Sequence, residues 1–145
     1  MEESYEEHEL ACERIREDNA GRLKVFKESL EEAGLSAKTV ARHVNNMDFY
    51  LNVYLLRYGA IPTSEGIDRV GSFLGDWFIR KCMWSTPASI RQYVASFKKF
   101  YKCMLSAGEI DASDYARLED IIKEEKDDWI EECEAYNNGW DDFDW

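Results

Sequence analysis

Leu35-Ser36-Ala37-Lys38-Thr39-Val40-Ala41-Arg42-His43-Val44-Asn45-Asn46-Met47-Asp48-Phe49-Tyr50-Leu51 is the stretch that decides the fold. Ser36 is a residue type whose side-chain oxygen accepts from the unpaired N–H groups of a helix start, and it stands just before a helical pattern. Val40, Val44, Met47, Leu51, Tyr54 and Tyr58 then recur at steps of four and three until Gly59. That spacing puts them on one helical face. Phe49, Val53, Leu55 and Leu56 make the second half apolar nearly all round, so this helix is expected in the middle of the domain. Lys38, Arg42 and Asn45 advance by four and three on the opposite, polar face.

The same grammar holds outward in both directions, and with two prolines in 145 residues it predicts an all-α chain. Upstream, an acidic helix is expected within residues 1–19. A second, from Asn19 or Ala20, carries Leu23, Phe26 and Leu30 to a stop at Gly34, and the two can join as one broken helix. Downstream of Pro62, Thr63-Ser64 can cap a helix bearing Ile67, Val70, Phe73, Leu74, Trp77 and Phe78. Ser85-Thr86-Pro87 marks the next start, because proline is tolerated in a first turn; that helix buries Ile90, Val94, Phe97, Tyr101 and Met104 before Gly108. Asp111 or Ser113 caps a long acidic helix over 111–136 with Tyr115, Leu118, Ile122, Trp129 and Cys133 on one face. Residues 137–145, Asn-Asn-Gly-Trp-Asp-Asp-Phe-Asp-Trp, read as a mobile acidic and aromatic tail. The core unit is thus 20–110, with an acidic segment on either side.

A net charge of −12 argues on its face against nucleic acid, but the charge is segregated. Residues 1–20 hold eight carboxylates against two arginines, and 111–145 hold fourteen against three cations. Residues 21–110 hold thirteen Lys and Arg against eight Asp and Glu. Screening confines exposed charge effects to about 10 Å at moderate salt, so a basic face can meet phosphates while acidic ends point elsewhere. On the Pro87 to Ser106 helix, Arg91, Lys98 and Lys102 form one polar edge, and Gln92, Ser96 and Lys99 the next. Together with Lys38, Arg42 and Asn45 these are the side-chain types that groove reading uses: Lys and Arg for phosphate, Gln and Asn for base edges.

Other chemistry finds little footing. Cys12, Cys82, Cys103 and Cys133 form no C-x-x-C pair, so no zinc site is expected; they read as reduced packing thiols. Neither His8 nor His43 belongs to a metalloprotease motif or stands beside a nucleophile, and no Gly-rich phosphate loop occurs. The paired carboxylates Asp127-Asp128 and Glu131-Glu132 sit on an exposed helix and point apart, unlike catalytic pairs. Trp77, Trp84 and Trp129 read as core or interface anchors. With no apolar run that spans a bilayer and an acidic Met1-Glu2-Glu3-Ser4 start, the expectation is a cytoplasmic protein that needs no membrane and no cofactor.

The order of Leu35-Ser36-Ala37-Lys38-Thr39, Tyr50-Leu51, Ile67, Val70, Phe73, Leu74, Ser89-Ile90, Phe100-Tyr101 and Gly108-Glu109-Ile110 resembles the SAM-like core-binding domain of tyrosine recombinases and phage integrases. The likeness spans residues 20–110. It implies a compact SAM-like bundle of four to five helices packed on one side of duplex DNA, with the second and fourth core helices near the groove. By position it points to Lys38, Thr39, Arg42 and Asn45 on one, and to Ser89, Arg91, Gln92 and Lys99 on the other. In that family strand cleavage needs a catalytic domain with an Arg, a His-x-x-Arg and a Tyr nucleophile. No such pattern occurs here, so the resemblance implies a non-catalytic role in DNA recombination or integration, assisting or antagonising an integrase.

A second expectation comes from another class, a protein-interaction or regulatory module that keeps the fold. Trp140, Phe143 and Trp145, set among carboxylates, suit docking into a basic, apolar groove on a recombinase or other protein partner. A tail folding back over Lys98, Lys99 and Lys102 as a phosphate mimic is the intramolecular version of that idea.

Overall fold

A computed structural model of the protein describes residues 4–141, with side chains through residue 138. Over the described residues the chain is all-α, with helices, turns and loops and no strand. The long helices are α1 (Tyr5–Glu32), α2 (Ala37–Asp48), α5 (Pro87–Ser106) and α6 (Ala112–Asp141). Residues 63–81 form a composite rod: a 3₁₀ segment (Thr63–Arg69), α3 (Val70–Ser72), a π segment (Phe73–Trp77) and α4 (Phe78–Lys81). α5 is the shared element, packed by α1 and α2 on one side and by α6 on the other, and α6 in turn covers the 63–81 rod.

The starts and stops follow local chemistry. Ser36 Oγ accepts from Thr39 N–H at 3.2 Å to open α2. Thr86 and Ser89 cap each other's backbone N–H groups to open α5, with Pro87 in the first turn. Asp111 Oδ1 accepts from Asp114 N–H at 2.8 Å at the start of α6, which settles the choice between Asp111 and Ser113. Gly34 (φ 82°) and Gly108 (φ 77°) supply the left-handed residues that end α1 and α5.

Four expectations are corrected. Residues 1–19 and the segment after them are not separate helices: α1 is continuous from Tyr5 to Glu32. Asn19 resembles a cap in sequence, but it is buried in mid-helix with its amide bound elsewhere. Its Nδ2 donates to Asn52 Oδ1 (2.8 Å), and its Oδ1 accepts from Thr63 Oγ1 (2.6 Å) and Arg22 Nη1 (3.1 Å). Thr63 therefore caps nothing, and the rod begins as a 3₁₀ turn after Pro62. The helix begun at Ser36 keeps α geometry only to Asp48 and widens to a π segment over Phe49–Tyr54. Helix α6 continues through Asn137 to Asp141, so 137 does not begin a tail; Asn137 Nδ2 donates to Ser85 O at 3.0 Å and ties this end to the loop before α5.

The two π segments face each other. Phe73 of one lies 5.0 Å from Tyr50 and 4.8 Å from Tyr54 of the other, ring centroid to centroid. A π turn carries more residues per turn than an α turn, which lets adjacent residues such as Phe49, Tyr50 and Tyr54 all turn toward the rod. Tyr50 is also edge-on to Phe97 of α5 at 4.6 Å, and Phe26 of α1 to Phe100 at 5.3 Å, so α5 runs through the centre of the aromatic core. Each fully buried Phe contributes about 2–3 kcal/mol by removal from water. Two buried phenols pin the rod: Tyr101 Oη donates to Thr63 O at 2.9 Å, and Tyr50 Oη donates to Gly66 O. Burial pushes both phenols' pKa upward, so they stay neutral donors.

Candidate nucleic-acid interface

The joint between α2 and α5 is a small buried polar knot. His43 Nδ1 lies 2.7 Å from Ser96 Oγ, and Asn46 Nδ2 donates to the same oxygen at 3.1 Å. Ser96 Oγ donates its own hydrogen to Gln92 O at 3.0 Å, so it accepts from both neighbours, which assigns the proton to His43 Nδ1. This knot fixes how far apart the two helices lie and which of their residues flank the seam. Because Phe49 meets Trp84 while His43 meets Ser96, the two helices run antiparallel.

On the solvent side of the knot, the exposed arcs of the two helices adjoin. Lys38, Arg42 and Asn45 are exposed on α2; Arg91, Gln92, Lys99 and Lys102 are exposed on α5. Arg42 and Lys99, one from each helix, both act on the His43 ring. After burial itself, their positive charges are the causes that hold the imidazole below its ordinary pKa. The two cations therefore bracket the seam. Among the described residues no ion pair engages Lys38, Arg42, Arg91, Lys98, Lys99 or Lys102; the pairs formed are Arg22–Glu109, Arg80–Asp76, and Arg117 with Asp68 and Asp114.

Two expected residues stand apart from this arc, and a third lies beside α6. The Ser89 hydroxyl is bound in the cap of α5, accepting from Thr86 N at 2.7 Å and donating to Thr86 O at 2.9 Å, and so serves the helix start. Thr39 is half-buried and its Oγ1 accepts from Ser36 Oγ at 3.0 Å. Lys98, on the same edge of α5 as Arg91 and Lys102, lines the groove to α6 with Glu119, Asp120, Lys123, Lys126 and Asp127. Carboxylates there offset its charge. Phe143 and Trp145 lie outside the described residues, as does the side chain of Trp140.

Two features were not expected from the sequence. Lys27 of α1 lines the groove beside Val44 and Asn45 and carries cationic charge past the edge of α2, with Glu31 next to it. At the opposite end, Phe49 follows Asn45 by four residues and is half-buried against Trp84, a residue 56% exposed just ahead of the α5 cap. The basic arc thus runs into an aromatic edge. The signal was present, as the step of four from Asn45 to Phe49 and as the Trp84-Ser85-Thr86 order, but only the antiparallel packing brings the two together.

Among the described residues no three His, Cys, Asp or Glu side chains gather as a metal-ligand set, and no helix is long and apolar enough to cross a membrane. The four cysteines are free thiols, three of them buried. No family model, curated protein or solved structure matches the chain.

Proposed function

We propose that this protein is a non-catalytic, recombinase-like helical module that binds duplex DNA through the joined exposed arcs of α2 and α5. The observation that carries the reading is the continuity of that arc. Arg42 on one helix and Lys99 on the other flank one seam, Lys38, Arg91 and Lys102 are exposed on the same two helices, and no carboxylate pairs with any of them among the described residues. Lysine and arginine supply the sequence-independent phosphate attraction, while Asn45 and Gln92 are placed to meet base edges. The acidic α6 lies beyond Lys98, on the far side of α5, where it repels phosphate and limits the footprint to the α2–α5 side. The resemblance of the packing order to integrase core-binding domains supports the same two helices.

The test is fluorescence anisotropy with a short labelled duplex across a salt series. Binding that weakens with a log–log slope of about −0.9 per neutralised phosphate is the expected result. Absence of binding at low salt, in both the whole chain and a form lacking residues 139–145, sinks the reading.

A second reading has its own observation. Glu124, Asp128, Glu131, Glu132 and Glu134 are exposed along one uninterrupted helix, a surface suited to a basic protein partner such as a recombinase. In that case Trp140, Phe143 and Trp145 would be its anchors, and removal of 139–145 abolishes partner capture while leaving DNA affinity unchanged.

A further inference from the structure

The aromatic edge at the end of the basic arc is more than an incompletely covered core. Ring contacts run in sequence from Trp84 to Phe49 (5.8 Å), from Phe49 to Trp77 (6.0 Å), and from Trp77 to the Arg57 guanidinium (5.9 Å), which also lies 5.6 Å from the Tyr58 ring. Tyr58 and Trp84 are exposed, Met83 beside Trp84 is fully exposed, and Val53, between Phe49 and Arg57 in sequence, is exposed. Exposed apolar side chains gathered at one place mark a contact surface more often than singly scattered ones do.

The charge around the edge says what that something is. Arg57, Lys81 and Arg91 are exposed near it or at the adjoining turn of α5, and Arg80 engages the nearby Asp76 through two hydrogen bonds, at 2.7 and 3.0 Å. Asp48, the other carboxylate at this end of α2, accepts from Asn52 at 2.7 Å. Rings presented beside cations that form no ion pair, with Asp76 paired to Arg80, suit a ligand that is flat, apolar on its faces and anionic along its backbone. Unpaired nucleobases fit that description: aromatic platforms beside a cationic track are how single strands are held. An apolar wedge next to a duplex-binding face likewise favours DNA whose stack is already broken.

We infer that Trp84, braced edge-on by Phe49 and Phe78, stacks an unpaired base, so that the preferred ligand is duplex DNA carrying a single-stranded extension or an unpaired site next to the duplex. This inference rests on the α2–α5 reading, because the duplex portion lies on the basic arc. Trp84 contacts Phe78 at 6.2 Å and Phe49 at 5.8 Å, which fixes the plane it offers while leaving more than half of its surface open.

The experiment compares three labelled probes by anisotropy: a blunt duplex, the same duplex with a short single-stranded extension, and the free single strand. The expected result is roughly tenfold tighter binding of the extended duplex than of the blunt one, the size of one base–aromatic stack. Trp84→Ala is expected to remove that preference and leave blunt-duplex affinity within about twofold, while Trp84→Tyr retains part of it, both with unchanged circular dichroism. Equal affinity for blunt and extended duplexes, or a preference that survives in Trp84→Ala, overturns the inference while the duplex-binding reading stands. Failure of all three probes to bind overturns both. A sedimentation change on Trp84→Ala with no change in probe preference assigns the edge to contact between copies of this chain and also overturns it.

Discussion

His43 Nδ1 and Ser96 Oγ lie 2.7 Å apart inside the seam between α2 and α5, and the ring is depressed in basicity by burial and by the Arg42 and Lys99 charges above it. The folded chain therefore resists protonating a group that the unfolded chain protonates at an ordinary pKa of 6.5. Between those two values the unfolded state binds more protons, so stability rises with pH. The contribution is complete above about pH 6.5 and is lost progressively as pH falls below it. Urea unfolding at pH 7.5 and 5.5 is expected to show a larger loss in the wild type than in His43→Gln, which keeps a hydrogen-bonding amide in the seam. Equal losses in the two proteins count against this account.

Ser96 is the hub of the same knot. Ser96→Ala leaves His43 Nδ1 and the Asn46 amide without their buried acceptor, and a loss of about 1–3 kcal/mol follows from stranding such groups. Denaturant midpoints at pH 7.5 measure it.

For the interface, Arg42→Glu combined with Lys99→Glu is expected to abolish duplex binding at moderate salt. The neutral pair Arg42→Gln and Lys99→Gln is expected to lower the salt slope by roughly one per lost phosphate contact. Because Lys99 also holds the His43 pKa down, Lys99→Gln raises that pKa in an imidazole NMR titration whether or not DNA is present. The two readouts separate a cation placed at the seam from one that merely adds charge.

Lys98 and Lys102 lie one turn apart on the same edge of α5, and Lys98 lines the groove to α6. Lys98 shares its groove with Glu119, Asp120 and Asp127, so Lys98→Gln should change DNA affinity less than Lys102→Gln, compared at one salt concentration. Equal effects would place the acidic helix too far away to matter.

Gly75 is where α6 closes on the 63–81 rod: a Cβ there would lie 2.8 Å from Trp129 Cδ1. Gly75→Ala must displace the buried indole and is expected to cost about 1–3 kcal/mol. Gly71→Ala is the control, since its Cβ would meet the Glu125 carboxylate no closer than 3.5 Å, ordinary contact, and helix propensity favours alanine. Thermal unfolding of the two variants should move in opposite directions.

Much of the local structure was legible. Ser36, Thr86 with Pro87, Asp111, Gly34 and Gly108 mark helix ends through short-range hydrogen bonding and backbone preference, which act within a few residues and so can be read in sequence. Asn19 and Asn137 show where that reading stops. Both have the side chain of a helix breaker, yet each lies within a helix because a distant partner, Thr63 and Asn52 for one and the Ser85 carbonyl for the other, takes up its polar atoms. The π segments escaped for a related reason, since their register answers to the rings packed across from them.

The basic arcs of α2 and α5 could each be drawn from a helical wheel, so the sequence alone determined an all-α chain, the residues each long helix exposes, and the cationic surplus of its middle. What tertiary structure alone decided is that α2 and α5 meet at the His43–Ser96 seam, that Lys98 shares a groove with charged residues of α6, and that Phe49 and Trp84 share one end. The periodicity of one helix says which way its side chains point around its own axis. It carries no information on which other helix lies alongside, because that is set by packing contacts and buried polar bonds between residues far apart in the chain.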